Sequence, residues 1–264
     1  MNNCLNCNLP LSAGQNFCPN CGQKAALKRL NLHDIWHDVV HYFTHADKGI
    51  FQLLKALVTE TGTVAREFVS GKRKKYFPPL NFFLIVAALY VFMGSVIPNK
   101  SVRPSKQNVV NAYQKEPIPK ESASGYSAAA TRQANVGRFF NKYANFVAMF
   151  AAPYISLIIW LILLRGPYNF TEHLVANLYL IGFTNLVRCM LWTPLLALLH
   201  VDPTIKWPIY AFAVFEILYR AIFYYRFMGK FNTTGKMQAL GLAVLSVIAW
   251  WVLISAIIFV YMMI

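Results

Sequence analysis

The 264-residue sequence predicts an all-α integral membrane helix bundle of about five transmembrane helices, with amphipathic surface helices and a short N-terminal zinc ribbon ahead of it. Three observations predict this. Hydrophobic residues make up 57% of the chain and charged residues only 13%, against about 45–50% and about 25% in soluble domains, so polar groups are too few to cover a wet surface. Long apolar stretches recur from residue 80 onward. Four of the five cysteines fall within the first 21 residues.

The cysteines come first in the chain. Cys4-x2-Cys7-x10-Cys18-x2-Cys21 is a pair of CxxC hooks, the arrangement that supplies four thiolates to one tetrahedral zinc from two tight turns. Gly22 after the second hook can take positive φ, and Asn8 holds the equivalent place after the first. Four thiolates leave no open coordination position, so the zinc is expected to be structural and to supply most of the folding free energy of residues 1–24. Such thiols need a reducing compartment, and no apolar leader precedes them.

Residues 28–76 read as amphipathic helices. Asn31 can cap a helix in which Leu32, Ile35, Trp36, Val39, Val40 and Phe43 share one face. His33, His37, His41, Asp34 and Asp38 lie on the other, with imidazoles at i, i+4 spacing that could share a second metal or answer to pH. Two further helices are expected, one over residues 49–59 and one over 63–70 stopped by Gly71. Their apolar faces would lie on the membrane, with Lys72, Arg73, Lys74 and Lys75 near anionic lipid headgroups.

Residues 77–264 form the expected transmembrane bundle. Its apolar stretches are 80–97, 144–164, 174–199, 208–227 and 237–264, each near the roughly 20 residues that a crossing requires. A polar extramembrane loop, 98–143, separates the first two. The basic run beside residue 77 and the reducing requirement of the thiols place the N-terminus in the cytosol. Three charges interrupt the third and fourth stretches: Arg188, Glu216 and Arg220. Each is costly in hydrocarbon, so they are expected either to pair or to line a polar path. Glu216 and Arg220 are i, i+4 partners. His173 and His200 fall at stretch ends and are expected at the interface.

The net charge of +15 raises nucleic-acid binding. The basic residues sit beside apolar stretches and form no single stripe, so lipid is the expected partner and nucleic acid is not. No nucleotide-binding glycine loop, nucleophile motif or zinc-protease motif occurs.

Cys4-Leu5-Asn6-Cys7, Phe17-Cys18-Pro19-Asn20-Cys21-Gly22-Gln23, Asp47-Lys48-Gly49 and Gly71-Lys72-Arg73-Lys74-Lys75-Tyr76-Phe77-Pro78-Pro79 follow one another in that order. Over residues 4–97 the chain resembles a bacterial family of multi-pass membrane proteins with an N-terminal zinc ribbon, defined as a domain of unknown function. The resemblance implies the bacterial inner membrane and no catalytic residues. The expected function is a membrane-anchored regulatory or scaffold protein whose ribbon docks a cytosolic partner. The alternatives are a transporter or channel using the Arg188, Glu216 and Arg220 cluster, and a metal-dependent membrane enzyme using the histidine helix.

Overall fold

The computed structural model describes residues 2–12, 14–26, 29–32, 35, 49–96, 150–164, 166–201 and 205–263. The histidine helix residues His33, Asp34, His37, Asp38 and His41 lie outside them, as does the loop 98–143. Of the expected helix after Asn31, Leu32 and Ile35 are described as helical. Ile35 donates its N–H to the Asn31 carbonyl at 3.4 Å and is buried, whereas Leu32 is exposed.

The N-terminal module is a miniature ribbon. Strand β1 (Asn2–Asn3) pairs antiparallel with β2 (Pro10–Leu11), and an isolated bridge joins Phe17 to Lys24. Its own core is Cys4, Leu11 and Cys18, with Cys7, Cys21 and Ala25 against them. That is far too little apolar area to offset the ordering of more than twenty residues.

The remainder is helical: α1 (Gly49–Thr59), α2 (Thr63–Val69), α3 (Pro79–Val96), α4 (Phe150–Ile162), α5 (Phe170–Val187), a π-helical turn (Arg188–Trp192), α6 (Thr193–Leu198), α7 (Trp207–Met228) and α8 (Thr233–Met263). The π turn has a covalent cause. Pro194 cannot donate a backbone hydrogen bond, and its ring clashes with the carbonyl four residues earlier. Chain chemistry also sets the helix ends. Asn169 and Glu172 form a reciprocal capping box on α5. Pro208 opens α7 and Gly229 closes it in the left-handed conformation at φ 67°. The Asn232 side chain accepts from the Gly235 N–H at the start of α8.

Helix α3 packs on α5, α8 packs on α7, and α2 wedges between α5 and α7. The apolar faces of α1 and α2 are therefore buried against protein where the sequence led us to expect lipid. Leu53, Leu57, Val64 and Phe68 join one core with Tyr179, Phe223 and Phe227. Buried hydroxyls tie the layers together: Tyr219 donates to the Leu57 carbonyl at 2.9 Å and Tyr179 to the Phe77 carbonyl at 2.7 Å. The turn between α1 and α2 fits only because residue 62 is glycine; a Cβ there would stand 1.9 Å from the Phe223 carbonyl oxygen of α7.

Two of the described helices are long and apolar enough to cross a membrane, Phe170–Leu198 and Thr233–Val260. The expected count of about five is not supported by this criterion. Pro79–Met93 and Phe150–Ile162 are apolar but short among the described residues, and α7 carries Glu216, Arg220 and Arg226. The two qualifying helices differ in surroundings. The apolar window of Phe170–Leu198 is 61% buried, as a core helix would be, but that of Thr233–Val260 is only 17% buried. Met237, Leu240, Val244, Ile248, Trp251 and Phe259 stand exposed along the latter. An uninterrupted apolar surface of that length is unfavourable in water.

Candidate metal centre and its clamp to the helices

The two hooks fold alike. The Asn8 N–H reaches the Cys4 carbonyl at 2.8 Å, and the Gly22 N–H reaches the Cys18 carbonyl at 2.9 Å. The Cys4 and Cys18 N–H groups donate to the Leu9 and Gln23 carbonyls, both at 2.8 Å. Each hook requires one left-handed residue, supplied by Asn8 at φ 62° and Gly22 at φ 68°.

These turns bring the four sulfurs within 4.8 Å of one another. Cys4 lies 3.6 Å from Cys21 and Cys7 lies 3.5 Å from Cys18. Those separations are too long for disulfides and close to the roughly 3.8 Å edge of a tetrahedron with metal–sulfur bonds of about 2.3 Å. The residues therefore fit a tetrahedral metal ion. A hydrogen bond from the Leu9 backbone lowers the Cys7 thiol to about 6 despite the opposing effect of burial. The Cys7 backbone N–H lowers Cys4 in the same way. At Cys18 the Cys21 backbone pulls in that direction too, but burial and the Cys7 and Cys21 sulfurs push it up to about 11. A bound cation would hold all four sulfurs as thiolates, Cys18 included.

The ribbon is fastened to the helices at two points. The buried Gln23 side chain accepts from the Lys74 backbone N–H at 3.2 Å. Arg29 forks onto Glu172 with contacts of 2.8 and 2.7 Å and also donates to the Pro167 carbonyl at 2.6 Å. Asn169 donates to the Leu30 carbonyl at 3.2 Å, and Leu30 enters the main core. Glu172 thus caps α5 and holds the segment that follows the ribbon at once. The sequence reading missed this residue. The Asn169-x-x-Glu172 capping signature just ahead of an apolar run was the signal that could have found it. His173 beside it, expected at the interface, is buried, with Tyr168 and Phe227 against its ring. His200 is exposed at the end of α6.

The basic run is partly neutralised from within the chain. Lys72 and Lys75 contact Glu67 at 2.7 and 2.6 Å, and the Tyr76 hydroxyl lies 2.8 Å from Glu67 and 3.0 Å from Glu60. Burial alone would raise the Glu67 carboxyl, but the bonds from Lys72, Lys75 and Tyr76 outweigh it and hold the group at about 2. A carboxyl depressed in the folded state stabilises above its unfolded value, about 4.5, and loses that contribution as pH falls toward 2. With its partial exposure discounted, the contribution is on the order of 2 kcal/mol at neutral pH. Melting profiles from pH 7 to pH 3 should fall steeply below pH 4.5 for the native chain. In Glu67→Gln the midpoint should be lower at pH 7 and the acid slope shallower.

The three charges that interrupt the apolar stretches converge, with Glu216 between the two arginines. Arg188 of the π turn lies 3.6 Å from one Glu216 oxygen, and Arg220 lies 3.3 Å from the other. The Arg188 guanidinium stacks 4.3 Å above the Phe212 ring. Asn177 belongs to a separate buried network, donating to Ser156 at 3.0 Å and accepting from Tyr224 at 2.8 Å. Arg226 donates to the Thr59 carbonyl at 2.8 Å and caps the end of α1.

A family described as a protein of unknown function (DUF3667) has a model that matches residues 47–91. The match spans α1, α2, the Glu67 network and most of α3, and it stops short of the ribbon. No curated protein and no solved structure matches the chain.

Proposed function

We propose that the chain is a membrane-anchored regulatory or scaffold protein of the bacterial inner membrane. The bundle crosses about five times, and the ribbon, on the cytosolic side, holds zinc and docks a protein partner. The single observation that carries the reading is the closed four-thiol module, tethered through Gln23 and Arg29 while Leu5 and Phe17 remain 52% and 55% exposed. A module with no open metal position does no metal chemistry of its own. Held firmly with apolar side chains outward, it presents a preorganised contact surface.

Exposed apolar residues on the other helices favour several crossings. Tyr210, Val214, Leu218 and Ile222 form an i, i+4 stripe on α7, and Leu157, Leu161 and Ile162 are exposed on α4. Zinc is the metal best matched to four thiolates at these separations. Two charge pairs in the bundle act as structural ties on this reading, since Arg188, Glu216 and Arg220 engage one another. Deleting residues 1–24 is expected to leave membrane insertion unchanged and to abolish recovery of a cytosolic protein with the tagged chain. Unchanged recovery would remove the docking role.

A further inference from the structure

The Arg188, Glu216 and Arg220 cluster is incompletely satisfied, and it differs in this from three of the four other ion pairs among the described residues; the fourth, Lys75–Glu60, is an exposed contact at 3.9 Å. Arg29–Glu172, Lys72–Glu67 and Lys75–Glu67 close at 2.6–2.7 Å, the range of charge-assisted bonds. In the cluster, two guanidiniums share one carboxylate at 3.3 and 3.6 Å, which leaves one positive charge in excess. Arg220 is only 6% exposed, yet its Nε and Nη1 make no hydrogen bond of good geometry; the neighbouring Tyr224 hydroxyl donates to Asn177. The other described carboxylates cannot serve: Glu60 and Glu67 are held by Tyr76 and Lys75, and Glu172 by Arg29. A buried guanidinium with two idle donors carries the full desolvation cost of each.

We propose that Arg188 and Arg220, with Glu216 between them, form a binding site for a small oxyanionic group, a carboxylate or a phosphate. Such a group offers acceptors to the idle Arg220 donors and cancels the excess charge. The planar guanidinium fork suits both chemistries. Phe212 covers one face of Arg188 and leaves its in-plane N–H groups for the anion. Arg188 and Glu216 lie nine or ten residues from the Leu198 and Trp207 ends of their helices, about 15 Å along a helix axis. The anion would sit deep in the bundle, either as a free solute or as the head of an amphiphile.

The test uses the full chain in nanodiscs of uncharged lipid, with melting followed against inorganic phosphate, acetate, dodecanoate and phosphatidic acid at matched ionic strength. At least one probe should raise the wild-type midpoint in a saturable way. Stabilisation by phosphate or acetate identifies a soluble ligand; stabilisation by dodecanoate or phosphatidic acid alone identifies an amphiphile. Arg220→Gln should weaken the effect at least about tenfold, the loss expected for charge-assisted bonds. Arg188→Gln, at a half-exposed position, makes the same comparison if Arg220→Gln does not fold. Glu216→Gln should gain more from the same anion than wild type, because its competing carboxylate is gone. If no probe exceeds chloride, or if the arginine variants respond as wild type does, the site is a plain ion pair and the proposal fails.

Discussion

Cys18→Ser is expected to empty the ribbon of metal and unfold it while the helices persist. The ribbon's own core is three buried side chains, two of them metal-ligand candidates. Structural zinc contributes apparent free energies of about 10–16 kcal/mol in such modules, far more than that core can supply. The helical body has a separate core running from Leu30 to Ala243, so it does not depend on the sulfurs. Elemental analysis of the purified chain should give one zinc for wild type and about none for Cys18→Ser. Proteolysis should cut residues 1–26 rapidly in the variant alone, with helical circular dichroism nearly unchanged. Loss of helical signal in proportion to metal would mean that the ribbon holds the bundle together.

Gly62→Ala is expected to destabilise the helical body by about 3 kcal/mol or more, the upper range for overpacked cores. The added Cβ would meet the Phe223 carbonyl oxygen at 1.9 Å, the Phe223 carbonyl carbon at 2.8 Å and the Phe227 nitrogen at 2.9 Å. All three are backbone atoms of α7, so no rotamer change relieves them. The α1–α2 turn would have to lift away, taking Leu57 from Tyr219 and Thr59 from Arg226. Gly241→Ala in α8 is the matched control. Its Cβ meets nothing within 4 Å, so the change should be neutral or stabilise by up to about 1 kcal/mol. Melting midpoints in detergent decide between them. Equal midpoints for the two variants would show that the close approach of the turn to α7 is absent. The adjacent Thr61 has φ 46°, a costly conformation for a β-branched residue. Thr61→Asn should therefore raise the midpoint slightly.

Local chemistry was legible in the sequence, and long-range pairing was not. The cysteine spacing, Asn8 and Gly22 specify the two hooks because each needs only neighbours in the chain. Helices α1 and α2 end where Thr59 and Gly71 led us to expect, with Gly71 at φ 114°. The Arg188–Glu216–Arg220 cluster could be anticipated because unpaired charges in apolar stretches have few alternatives to one another. The Arg29–Glu172 and Gln23–Lys74 ties were illegible. They join residues 143 and 51 positions apart, and no periodicity encodes such partners. The burial of His173 was illegible for a related reason. Its position near the start of an apolar stretch indicates a helix end, but only the packing of Tyr168 and Phe227 decides whether that end meets water. Of the expected crossings, two are met among the described helices, because charge within α7 and the extent of the described helices weaken a criterion of length and composition elsewhere.

The proposed arrangement puts the ribbon on the cytosolic face of a bundle that crosses the membrane an odd number of times. Protease accessibility of a tag ahead of residue 1 and another after residue 264 tests it most directly, in right-side-out and inverted vesicles. The expected result is cleavage of the first tag only in inverted vesicles and of the second only in right-side-out ones. Both tags cleaved from the same side, or the first cleaved from outside, would contradict the claim.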